Sequence, residues 1–335
     1  MFDMNWRSTV HSDAWKWMVG GLAILLLLAA CQTDSGQVAP PRTESVADEV
    51  PADEAAKAEP ASADNTEAPA ADMNGLSSNE EWQAEIEERD GVKIAKVPSG
   101  CFMMGAEGVE RAQPVHQVCL TEPYWIDVTE VSNAQFELFG GEAERESTFP
   151  GQAIGEAEQP RTNVSWEEAS AFCQLRGAHL PTEAEWEYAS RGPEGWGYPW
   201  GDHFDPTRLN FCGAGCPITA AEDGPYFSAD DGYALAAPVD SLPEGASWVG
   251  ALHMAGNVAE WVADYYGPAY YANSPVEDPL GPESGQNRAV KSIPWSWYID
   301  PEAHSHMANR WNFVPDGGPK AYSGTTGFRC VQPAS

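Results

Sequence analysis

The chain has 335 residues, enough for one large domain or two ordinary ones. Its 51 Asp and Glu against 18 Lys and Arg give a net charge of −33, which excludes a protein that grips nucleic-acid phosphates through basic patches. With 42% hydrophobic and 11% aromatic residues there is ample material for a core, and the acidic balance fits an exported, soluble domain.

An apolar run, MVGGLAILLLLAAC, follows Arg7 and Lys16 and ends at Cys31. It is shorter than the roughly 20 apolar residues of a transmembrane helix and has the length of a signal-peptide core. Its end, Leu28-Ala29-Ala30-Cys31, resembles a bacterial lipobox. Residues 1–31 are therefore read as a lipoprotein signal peptide with Cys31 as the lipidated residue. Acyl chains contribute about 0.8 kcal/mol per buried CH₂, so the expectation is stable lipid anchoring to a bacterial cell envelope, at the outer membrane or cell surface. Residues 32–78 are Ala, Pro, Glu and Asp with almost no aromatics, and read as a disordered, self-repelling linker.

Residues 79–335 carry the Trp, Tyr, Phe and Gly of a folded domain. Seven cysteines less Cys31 leave six: Cys101, Cys119, Cys173, Cys212, Cys216 and Cys330. An even number in an oxidising compartment points to disulfides, with the pairing left open by sequence alone. Cys212 and Cys216, in CGAGC, are read as a small disulfide-closed loop rather than half a metal site, because no second ligand pair accompanies them.

In chain order, VKIAKVPSGCFMMG and HQVCLTEPYWIDV read as two strand regions, with Cys101 and Cys119 placed where a cross-strand bridge could form. EVSNAQFELFGG reads as a helix capped by Ser132. NVSWEEASAFC and LPTEAEWEYASRG open on capping boxes, Ser165 with Glu168 and Thr182 with Glu185, so those glutamates are structural rather than catalytic. From Gly192 to Pro243 the chain is mostly loop, a length that calls for a clamp such as a metal ion or a disulfide. MAGNVAEWVADYY is a short apolar element, and TGFRCV a final strand. The whole is α+β, with no phosphate-binding glycine loop, HExxH or GxSxG.

SGCFMMG, EVSNAQFELF, NVSWEEASAFC, LPTEAEWEYASRG, YPWGD, APVDSLP, MAGNVAEW and GFRC occur in that order over residues 92–331. Together they resemble the sulfatase-modifying factor family, the formylglycine-generating enzymes and their relatives. The resemblance implies a single loop-rich α+β domain with a C-type-lectin-like core, and a disulfide between Cys173 and Cys330. It also implies calcium as a structural cofactor. The first site falls on Asn210, Phe211, Asp231 and Tyr233, a set of amide, carboxylate and carbonyl oxygens suited to Ca²⁺. The second falls on His253, Gly256, Val258 and Glu260; imidazole suits a hard cation poorly, and Glu260 serves equally well as a loop-ordering hydrogen-bond acceptor.

The family's oxidase turns a substrate cysteine into formylglycine with oxygen and a copper ion held by two cysteines, soft thiolates that select Cu(I). Here those positions fall near Trp297 and Glu302, so no catalytic residue is assigned and copper is not expected. His304 and His306 read as loop histidines rather than a replacement copper site. Trp295, Trp297, Tyr298, His304, His306, Arg310 and Trp311 are read as a binding surface for a protein or peptide, because aromatic side chains dominate interface energetics. Family relatives in diversity-generating systems display variable residues just before the same final strand. The reading is thus a non-catalytic binding or structural protein; the alternative is a formylglycine-generating or other oxidase with a non-thiolate metal site.

Overall fold

The computed structural model describes residues 76–143, 146, 148–149, 152–218, 226, 228–297, 300–316 and 324–334. Cys31 and most of the linker expected over 32–78 lie outside them, as does Tyr298. The folded unit takes in Leu76, packed against the core, and Ser78, which caps a short 3₁₀ turn.

The first sheet is antiparallel in the order β1 (Ile86–Arg89), β2 (Val92–Val97), β5 (Tyr124–Asp127), β12 (Val331–Pro333). It takes both ends of the domain into one sheet, with β1 and β12 at its opposite edges. Between β2 and β5 lies a hairpin of β3 (Gly100–Met104) and β4 (His116–Leu120), in which Cys101 stands directly opposite Cys119 and is bonded to it.

Two short helices follow the capping signals. Ser132 caps α1 (Asn133–Leu138) with Gln135 answering, and Ser165 with Glu168 caps α2 (Trp166–Leu175). Between them β6 (Thr148–Phe149) pairs with β7 (Gln152–Ala153). Phe136, Phe172 and Phe328 pack together from α1, α2 and the chain end, with Phe136–Phe172 centroids 5.1 Å apart. Cys173 on α2 is bonded to Cys330, next to that cluster.

Thr182 and Glu185 cap α3 (Glu183–Arg191), nearly all of which is buried. It lies against a second sheet ordered β10 (Trp311–Phe313), β9 (Arg288–Lys291), β8 (Ala259–Tyr265), β11 (Thr326–Phe328). The β8–β11 pair is parallel, a pairing that no local pattern in the sequence marks. The other pairs are antiparallel, with an irregular register between Trp261 and Tyr265. A short α4 (Pro301–His304) sits between β9 and β10.

Candidate functional site

Charges on the buried face of α3 set the base of the site. Glu183, Glu187 and Arg191 recur at i, i+4 spacing, which places them on one side of the helix. Glu187 pairs with Arg191 at 2.6 Å and with Lys291 of β9 at 2.9 Å, and accepts the Gly105 backbone N–H. Burial opposes its ionisation, but the two cations overcome this and hold its carboxyl down at about 2. Glu183 makes a two-pronged pair with Arg310, whose guanidinium also lies over the rings of Tyr271 and Tyr266. Glu183, Glu187, Arg191 and Lys291 carry no mark in the sequence as a site, because the Lys291–Glu187 and Arg310–Glu183 pairs join residues 104 and 127 apart; the i, i+4 charges of α3 were the one local signal.

Above this layer opens a cleft of about 470 Å³ between the β3–β4 loop and the segment from Glu302 to Trp311. An adjoining hollow of about 370 Å³ shares Glu107, Tyr198 and His306 with it. Asp300 caps α4, and Pro301 occupies the first helical position, where its missing N–H costs nothing. The Tyr198 hydroxyl donates to the Glu302 carbonyl at 2.9 Å, and the Tyr226 hydroxyl to the Glu302 carboxylate at 2.5 Å. Burial and the Glu302 carboxylate push Tyr198 up to about 12. Asn309 donates to the carbonyls of Ala303 and His304, which fixes the turn.

Trp297, His304 and Trp311 form an aromatic trio, with Trp297 and Trp311 centroids 4.6 Å apart and edge-on. His304 Nδ1 lies 2.8 Å from the Asp300 carbonyl, so this nitrogen carries the proton. His306 Nδ1 accepts the Ala308 N–H, and burial, with the Arg191 charge beside it, pulls His306 down to about 4. Neither histidine lies free on a loop.

The expected surface is therefore only partly a surface. Trp297, His304 and His306 are half-buried, and Trp311 lies at the edge of the cleft with 9% exposure. Trp295 is a core residue, packed with Ile154, Ala236 and Val258. Arg310 is likewise interior, committed to Glu183. Both corrections have one cause: an aromatic or a cation in an irregular segment gives no periodicity from which to read its facing.

Glu302, at one expected cysteine position, lines the cleft, while Trp297, near the other, packs in the aromatic trio. All six cysteines after Cys31 are in disulfides, the third joining Cys212 to Cys216. The residues present do not fit copper: they offer a carboxylate and an indole where soft thiolates are needed. Among the described residues, no group of three or more His, Cys, Asp or Glu is placed to hold a metal.

Calcium is a different matter, because its ligands include amide and carbonyl oxygens. Asn210 is fully buried, and its Oδ1 has no hydrogen-bond partner among the described residues. Asp231 stands beside it, accepting the backbone N–H groups of Phe211 and Tyr233 at 2.9 Å, with its carboxyl pushed up by burial. This donor set fits a hard cation. The second set does not. Both Glu260 oxygens are taken by Arg329, at 2.7 Å each, and the Trp186 indole N–H donates to one of them. His253 is buried against Ser241 and, through burial and the nearby Arg329, is held neutral with its value down at about 3. The hydrogen-bond acceptor role of Glu260 is the one seen.

The architecture is that of a loop-rich α+β domain built on a short buried helix between two small sheets. Among solved structures it is similar to PvdO from Pseudomonas aeruginosa, with a TM-score of 0.59 at 22% identity over 75% of this chain and 99% of that one. It is also similar to Treponema denticola variable protein 1, with a TM-score of 0.53 at 20% identity over 74% of this chain and 98% of that one. Residues 81–334 match the sulfatase-modifying factor enzyme 1-like domain, and the chain belongs to that family. It is 32% identical to a formylglycine-generating enzyme of Streptomyces coelicolor, over 71% of this chain and 88% of the relative. It is 29% identical to the inactive C-alpha-formylglycine-generating enzyme 2 of Mus musculus, over 72% of this chain and 86% of the relative.

Proposed function

We propose that this chain is an exported, lipid-anchored member of the family that does not oxidise cysteine, binds a partner through the rebuilt cleft, and holds calcium at the Asn210–Asp231 site as a structural ion. The observation that carries the reading is the replacement of the thiol pair by Trp297 and Glu302, with every other cysteine of the folded domain committed to a disulfide. A relative named as inactive is compatible with loss of the oxidation on a retained scaffold. Aromatic rings, carboxylates and an amide at the cleft form the mixed apolar and polar lining of a recognition site. Copper(I), oxygen and a cysteine-containing sulfatase peptide should give neither oxygen uptake nor an aldehyde product. Aldehyde formation above a protein-free control would sink the reading. Anchoring is tested separately: Cys31→Ser should move the protein from the membrane fraction to the soluble one, and unchanged retention counts against lipidation.

A further inference from the structure

At the cleft, one cation is held by an aromatic ring and not by a carboxylate. Arg111 is exposed on the 3₁₀ turn Glu110–Ala112, whose last residue is buried, at the edge of the cleft. Its guanidinium lies 4.8 Å from the centroid of the Trp311 ring. Among the described residues Arg111 makes no ion pair, although Glu107, Glu110 and Glu302 line the same cleft. Three carboxylates stand against one guanidinium in a lining whose other polar side chains are Tyr198, Asn309, His304 and His306, so carboxylates outnumber the fixed cation.

We propose that the cleft is a receptor for a guanidinium or ammonium group over the Trp311 ring beside His304, and that Arg111 is a built-in occupant the incoming cation must displace. The inference rests on the reading of this cleft as a binding site. A cation over an indole face is attracted by the ring quadrupole. Replacing one guanidinium by another leaves that contact unchanged, so the gain comes from elsewhere. A ligand not tethered to the turn can sit over Trp311 and also approach the carboxylates, which Arg111 does not pair with. Charge complementarity selects a cation over an anion at the same place. A second observation concerns the ligand's shape. The indole N–H of Trp311 is buried and has no acceptor among the described residues. A carbonyl next to the cation, as in a peptide, would satisfy it. The same chemistry could come from a free small amine, so both sources enter the test.

The purified full chain is titrated by calorimetry with three probes: acetyl-arginine methylamide, agmatine, and the uncharged acetyl-citrulline methylamide. The arginine amide should bind and the citrulline isostere should not. Arg111→Ala, at an exposed position, should tighten arginine-amide binding roughly two- to fivefold, the scale of one exposed cation–π contact. Glu107→Gln with Glu110→Gln should weaken it and flatten its salt dependence. Agmatine binding as well as the amide points to a free small cation; amide-selective binding points to a peptide side chain; both uphold the cation site. No binding to wild type or Arg111→Ala, equal binding of the citrulline probe, or weaker or unchanged binding in Arg111→Ala would each overturn the proposal. The oxidase assay reads a different quantity, so a silent oxidase with a failed titration removes this inference and leaves the non-catalytic reading standing.

Discussion

Asn210 and Glu260 have different bonding needs. Both are fully buried, but Glu260 has every oxygen engaged while the Asn210 Oδ1 has none of its needs met within the described structure. Leaving a buried acceptor unsatisfied costs about 1–3 kcal/mol, so Asn210 gains from a cation and Glu260 does not. Calcium at about a hundred times its Kd stabilises by about 2.7 kcal/mol, which for a domain of this size is a rise in Tm of roughly 5–10 °C over an EDTA-treated sample. Asn210→Ala should melt at the same temperature with calcium or EDTA. Coincident wild-type melts in the two conditions would refute the site. The sequence pointed to Asn210 and Asp231 through family resemblance. It was silent on the partner of Glu260, since Arg329 lies 69 residues away and no spacing rule links them.

Elements whose signals are local were read well. The capping boxes at Ser165 and Thr182, and the cap at Ser132, each begin the helix expected of them, because the cap and its N3 partner are three residues apart. α4 is not legible although Asp300-Pro301 is a local start signal, because a single turn of four residues is too short to show a helical period. The parallel β8–β11 contact was not legible, since pairing Thr326 with Ala259 is decided by where α3 and the Cys173–Cys330 bond place the chain end. That bond spans 157 residues, against 18 for Cys101–Cys119 and 4 for Cys212–Cys216. The entropy a cross-link removes from the unfolded chain grows with the loop it closes. Replacing Cys173 and Cys330 by Ala should therefore cost the most, about 2–5 kcal/mol in urea unfolding. The Cys212/Cys216 double variant should cost the least, and a reversed order would show that local packing around the bonds outweighs loop closure.

Across the molecule, buried ionisable groups are shifted in opposing directions, and their sum shapes the pH dependence of stability. Burial, with Glu260 adding to it and Arg329 opposing, pushes Glu130 up to about 8. Burial and the neighbouring Glu183 do the same for Asp264, to about 8. Burial pulls His253 down to about 3 and His306 to about 4, while Lys291 and Arg191 hold Glu187 at about 2. For Glu130 and Asp264 the folded value lies above the unfolded one. Their contribution is fully present below the ordinary carboxylate range and is lost as pH rises towards 8. For the two histidines and Glu187 the folded value lies below, so their contribution is present above the unfolded value and is lost as pH falls. Between the ordinary values of 4.5 for Glu and 6.5 for His, unfolding adds a proton at each histidine and removes one at each raised carboxyl. The slopes cancel and stability is level. Above 6.5 only the carboxyls still differ between the two states, so stability falls by up to about 1.4 kcal/mol per pH unit for each of them until pH 8. Below 4.5 Glu187 joins the histidines and stability falls again. Urea midpoints measured from acid to alkaline pH should trace this plateau and its two limbs. The Glu130→Gln, Asp264→Asn double variant should lose the alkaline limb and keep the acid one. A wild-type midpoint that rises between neutral pH and 8 would mean that these two carboxyls are ionised in the folded protein.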